Sequence, residues 1–204
     1  MLRRRPPLRR RCGISPHTAT ARGYIPEMTD VGETVPDPRN HPETQADERT
    51  TLVVFLNFQR ETLAWKCADL SAEQLARRAV PCTTMSLLGI VRHMAEVERI
   101  WFRVVLCQEP AVPHFYSDED SDGEFNDAVA DDEVVAIGFA TWRAEIAYAE
   151  SFVASASDLD VSGTNKWGET MSLRWILVHM VEEYARHNGH ADLLRQMIDG
   201  RTGE

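Results

Sequence analysis

Three histidines and two glutamates crowd one string near the C-terminus, His179-Met180-Val181-Glu182-Glu183-Tyr184-Ala185-Arg186-His187-Asn188-Gly189-His190. Glu183 and His187 are four residues apart. On a helix this puts both side chains on one face, one turn apart, with Cβ atoms roughly 5–6 Å from each other. Imidazole nitrogen and carboxylate oxygen both reach a divalent ion at about 2.0–2.2 Å, so one ion can bridge such a pair. A third ligand must come from another helix. His93 qualifies, because it stands between Ile90 and Val97 in phase with an apolar stripe. Two histidines and one carboxylate leave coordination positions open, the pattern of a catalytic rather than a closed structural site. Zinc is the first expectation, and nickel, iron and manganese accept the same donors. The competing reading is a helical Glu–His hydrogen bond worth a few tenths of a kcal/mol, with His93 an ordinary core residue. Burial favours the metal, since an unpaired buried carboxylate costs several kcal/mol and a cation removes that cost. Gly189 points the same way: glycine inside a helix costs about 1 kcal/mol relative to alanine, so a close approach is expected there.

The elements that must hold these residues are helical. Over 47–69, Leu52, Phe55, Leu56, Leu63 and Cys67 recur at helical steps. Ser71-Ala72-Glu73-Gln74 reads as a capping box opening a short helix over 71–78, which Pro81 stops. N-cap residues at 83–86 precede a long run over 87–106 with the stripe Leu87, Ile90, Met94, Val97, Trp101 and Val104. An acidic loop extends to about Asp131. A helix over 134–154 follows, then a loop holding Gly163 and Gly168, and a last helix over 172–198 with Gly200 as its stop. No hairpin and no internal repeat is legible. The expected architecture is an all-α four-helix bundle over 47–200.

Composition narrows the partners. The 204 residues are 43% apolar, enough for a core, and no apolar run approaches the roughly 18–20 residues that cross a bilayer. Cys12, Cys67, Cys82 and Cys107 form no CxxC pair, which excludes a thiolate zinc site and points to a reducing cytoplasm, with the last three expected as buried small hydrophobes. Residues 1–28 hold seven arginines and one acid; the remainder carries 15 basic against 31 acidic residues, a net of −16. So acidic a body repels phosphate backbones, and neither nucleic acid nor membrane is expected as its partner. Residues 1–46 read as a disordered Arg/Pro-rich extension, because Pro6, Pro7, Pro16, Pro26, Pro36, Pro38 and Pro42 forbid regular structure. Targeting or tethering by the arginines is the other reading, and Met28 is an alternative start that would leave 1–27 untranslated.

Two patterns compete for attention. Asp118 to Gly123 matches the opening of a calcium loop, but its twelfth position is Val129 instead of a bidentate glutamate, so a solvated acidic loop is expected. Trp65, Trp101, Trp142 and Trp175 fall on predicted helices and read as core, with Trp101 a candidate pocket residue. No GxSxG, Walker or GxGxxG motif is present.

The strings FQRETLAWKCADLSAEQLARRAVP, SLLGIVRHMAEVERIWF and SLRWILVHMVEEYARHNGHADLLRQMIDG cover most of the folded region. On them the chain resembles the DinB-like (YfiT-like) metal-enzyme superfamily, nearest to its mini-circle-protein branch. The resemblance implies an up-down-down-up four-helix bundle, often a homodimer, with a metal held by His93, Glu183 and His187. Many relatives carry histidine where Glu183 stands, and His-Arg-Gly-Gln where this chain reads His187-Asn188-Gly189-His190. His190 is then a fourth ligand or, as favoured here, a base beside the ligands. The resemblance also implies transfer of a low-molecular-weight thiol of the mycothiol type to a small electrophile. For an anionic thiol, Arg92, Arg174 or Arg186 would be the steering cation. The alternatives are a non-catalytic metal-binding or stress-response bundle, and a bundle serving only as an interaction module.

Overall fold

The computed structural model describes residue 37 and residues 39–202. The expected extension lies outside these up to residue 36. The compact unit begins at Asp37, ahead of the boundary expected at 47. Arg39 donates to Thr62 Oγ1 at 3.1 Å and stacks over the Phe58 and Trp65 rings, fastening the lead-in segment to the first helix.

Helix α1 spans Glu48–Cys67, with Asp47 accepting from the Thr50 amide as N-cap. Its buried stripe is Leu56, Arg60, Leu63 and Cys67, while Phe55 faces solvent. A single turn, α2 (Ala72–Ala76), opens on the expected capping box of Ser71 and Gln74. Helix α3 (Leu87–Glu98) starts at Ser86 and continues as a π-helical segment, Arg99–Leu106, whose hydrogen bonds run i→i+5. The extra residue per turn shifts the phase of the apolar stripe. Phe102, Val105 and Leu106 are therefore buried where the 3.6-residue period expected Trp101 and Val104. Within the acidic loop lies one further turn, α4 (Gly123–Asn126). Helix α5 is Asp132–Ser155, capped by Asp131. The loop after it is not wholly irregular: β1 (Ser162–Thr164) pairs antiparallel with β2 (Thr170–Ser172), a hairpin too short to leave an alternation in the sequence. Helix α6 (Leu173–Asp199) starts on Ser172 and ends at Gly200, whose φ of 81° is the left-handed cap that glycine adopts without penalty.

Contacts fix the directions. Glu48 meets Arg174, Gln59 meets Asn188 and Lys66 meets Asp192, so α1 and α6 run parallel. Gly138 lies against Leu88 and Glu145 accepts from Arg103, so α3 and α5 run parallel as well. Trp101 packs on His179 and His93 on His187, so α3 and α6 are antiparallel. This is the up-down-down-up arrangement. Parallel neighbours cannot be joined by a tight turn, which is why the long segment between α3 and α5 exists.

One polar network ties the four long helices together. Glu98, with no exposed surface, accepts two hydrogen bonds from Arg60 and one from the Tyr184 hydroxyl, all at 2.8 Å. That hydroxyl accepts in turn from the Trp142 indole at 2.8 Å. Of the tryptophans expected in the core, only Trp142 is fully buried; Trp175 is half exposed. Cys67 is buried as expected, whereas Cys82 is on the surface.

Candidate metal centre

His93 projects from α3 and Glu183 and His187 from α6, and one ligand atom of each lies within 4.8 Å of the others. The antiparallel packing of α3 on α6 produces this meeting. Tyr184, one residue from Glu183, is locked inward by Trp142 and Glu98, and this fixes the rotation of α6 so that positions 183 and 187 face α3. The His93 and His187 rings are 4.7 Å apart between centroids. His187 Nε2 stands 3.6 Å from Glu183 Oε2, longer than a hydrogen bond should be. The helical Glu–His hydrogen bond offered as the competing reading is therefore not formed.

The donors suit a divalent ion. His187 is the most enclosed of the three, and its Nδ1 is buried with no partner. Burial first, then the facing His93, His190 and Arg186, push its pKa down to about 4, so the ring is neutral at pH 7 and keeps a lone pair. Glu183 supplies one negative charge. It is less isolated than a buried lone carboxylate would be, since His179 lies 3.6 Å away and Arg186 3.8 Å away. The burial cost expected from sequence is correspondingly smaller.

His190 sits edge-on to His187 with ring centroids 5.3 Å apart, outside the converging set of three. Gly189 supports no close approach: a Cβ there would meet nothing within 4 Å. Of the three candidate arginines only Arg186 reaches the triad. Arg92 is buried, donating to the Gly123 and Glu124 carbonyls, and Arg174 pairs with Glu48 and Asp160. Trp101 packs with Trp175 and His179 on the neighbouring turn of α6.

Beside His93 opens a cleft of about 310 Å³ whose wall includes Tyr116, Ser117, Asp118, Ser121 and Glu124. The loop forming that wall is fastened to α3. Glu96, buried, accepts from the His114 and Phe115 amides at 2.6 and 2.7 Å, while Arg99 donates to the Ala111 carbonyl and to the Tyr116 hydroxyl. Glu96, Arg99 and Glu124 were not singled out in the sequence, because only the folded loop gives them partners. A larger hollow of about 550 Å³, lined in part by Arg92, His114 and Asp127, touches none of the triad.

A family model described as mycothiol S-transferase matches residues 51–200, and that stretch contains all three ligand candidates. The chain belongs to the mycothiol S-transferase family. No curated protein matches this mycothiol S-transferase family member. Among solved structures, a conserved protein from Enterococcus faecalis is similar, with 15% identity over 76% of this chain and 96% of that one, and a TM-score of 0.48.

Proposed function

We propose that this chain is a divalent-metal-dependent S-transferase that joins a low-molecular-weight thiol of the mycothiol type to a small electrophile. The observation that carries the reading is the meeting of His93, Glu183 and His187 from two helices, in a chain of this family. These three would hold the ion, with zinc first by donor type. When bound, a divalent ion lowers the pKa of a thiol it coordinates and so supplies a thiolate near neutral pH. Neutral His187 offers a lone pair, His93 offers a second ring nitrogen, and Glu183 offsets one positive charge. Arg186, whose hydrogen bond goes to Glu182, keeps its positive charge 3.8 Å from Glu183. In this reading His190 accepts the proton that the thiol gives up.

The cleft argues for the class of thiol. Its wall carries Asp118 and Glu124 with the hydroxyls of Ser117, Ser121 and Tyr116, and no lysine or arginine. Such a wall accepts hydrogen bonds from hydroxyl groups and repels carboxylates. It favours a sugar-linked thiol such as mycothiol over the anionic glutathione, in place of the steering arginine expected from sequence. The setting is a reducing cytoplasm.

Purified protein loaded with zinc, given mycothiol and 1-chloro-2,4-dinitrobenzene, tests this. Thioether formation is expected, with kcat/KM for mycothiol at least tenfold above that for glutathione. His187→Ala is expected to lower turnover 100-fold or more and to lose zinc. Unchanged turnover in that variant, or native protein without metal, overturns the proposal.

A further inference from the structure

The calcium-like string of the acidic loop has another use in the folded chain. Its glycine, Gly123, and the next residue, Glu124, open α4, and this turn is pinned against α3 at the level of His93. Arg92 donates to the Gly123 and Glu124 carbonyls at 3.0 Å each. Phe125 lies over Gly89, where a Cβ would come within 2.8 Å of its Cδ1, and its ring stacks on the His93 ring at 5.4 Å. Gly123 itself has no room for a side chain, since a Cβ would lie 2.4 Å from the Phe115 carbonyl oxygen. The turn thus delivers two side chains to His93, the Phe125 ring and one carboxylate. The Glu124 carboxylate, nine-tenths buried, places Oε1 3.3 Å from His93 Nδ1, and its Oε2 is buried with no hydrogen-bond partner.

We infer that Glu124 is a positioning residue for the metal centre: it accepts a hydrogen bond from His93 Nδ1–H, fixing the ring's orientation and tautomer and leaving Nε2 with its lone pair for the ion. A carboxylate behind a ligand histidine has this effect wherever the pair occurs, and removing it costs 10–100-fold in metal affinity. Phe125 holds the ring from its face and Glu124 from its edge, so His93 arrives at the site already oriented. Among the described residues the carboxylate's one side-chain hydrogen-bond partner is His93, while the Arg92 charge acts on it electrostatically without a hydrogen bond to its oxygens. This inference rests on the metal reading of the triad, but the tautomer itself exists without metal.

Two measurements test it. The first is 15N NMR of histidine-labelled, metal-free protein, with the His93 signals assigned by their loss in His93→Gln. The expected result is Nδ1–H in the wild type and a shift to Nε2–H, the form free histidine prefers, in Glu124→Ala. The second is titration with Co²⁺. Glu124→Ala is expected to bind 10–100-fold more weakly, Glu124→Gln, which keeps an acceptor oxygen, to lose less, and Glu119→Gln, an exposed acid of the same loop outside the cleft wall, to stay within twofold. Nε2–H in the wild type, or equal Co²⁺ affinity in Glu124→Ala, overturns the inference. If Glu124→Ala does not fold, retention of Nδ1–H in Glu124→Gln supports it and its loss overturns it. Should the wild type take up no Co²⁺, the metal reading falls, and the tautomer alone decides the part played by Glu124.

Discussion

His187 is held in a form that acid would undo. Its pKa is depressed from 6.5 to about 4, chiefly by burial. An imidazole whose folded pKa lies below its unfolded value binds fewer protons in the fold, so its contribution to stability is fully present above pH 6.5 and is lost as pH falls through 4. Metal-free protein is therefore expected to lose melting temperature between pH 6.5 and 4, and His187→Gln to lose less across that window; parallel thermal melts at pH 7, 5.5 and 4 would show it, and identical slopes would contradict it. Cys67 makes the opposite case. Burial pushes its thiol up to about 12, so it stays protonated and inert at pH 8, while Cys82 lies on the surface. Iodoacetamide at pH 8 is expected to label Cys82 in the native protein and Cys67 only after unfolding, read by peptide mass spectrometry. The triad was legible in sequence because each member obeys a helical period. Glu124 was not, because the string around it has no period and its partner is 31 residues away.

Among the elements, α6 bears the most conflicting demands. It must bury Tyr184 on one side, aim Glu183 and His187 at α3, and tolerate Gly189 in its interior. Nothing stands within 4 Å of a Cβ at Gly189, so Gly189→Ala is expected to stabilise the protein by about 0.5–1 kcal/mol through helix propensity alone. A lower melting temperature would show that the glycine serves something outside the folded chain. Tyr184→Phe is expected to act the other way. It leaves the Trp142 indole without an acceptor and takes one donor from Glu98, a loss of about 1–3 kcal/mol, with weaker Co²⁺ binding because α6 loses its rotational anchor. The same contrast separates what sequence could and could not tell about the fold. Caps at Ser71, Ser86 and Ser172 and the stop at Gly200 are local chemistry and were readable. The π-helical turn was not, since its phase change is imposed by packing, and the hairpin at 162–172 was not, since three-residue strands carry no periodicity.

At the scale of the whole molecule, the parallel pairs α1–α6 and α3–α5 put the site where α3 and α6 cross, and the long crossover supplies its wall. No described helix is long and apolar enough to cross a membrane. The unit that holds the core and the triad runs from Asp37 onward, which makes the lead-in before α1 part of the fold. Arg39 over Phe58 and Trp65 is a cation held between two aromatic faces, and contacts of this kind contribute about 0.5–2 kcal/mol. Asn40 adds hydrogen bonds from its amide and side chain to Glu61 at 2.8 and 3.0 Å. Chains beginning at Asp37 and at Asp47 separate these contributions. The first is expected to melt and to bind Co²⁺ as the full chain does. The second is expected to lose about 1–2 kcal/mol while keeping its metal affinity, because Arg39 and Asn40 act on α1 and none of the three ligand candidates lies on that helix. Equal stability of the two chains would remove the lead-in from the folded unit, and loss of Co²⁺ binding in the second would mean that α1 and α6 transmit strain to the centre.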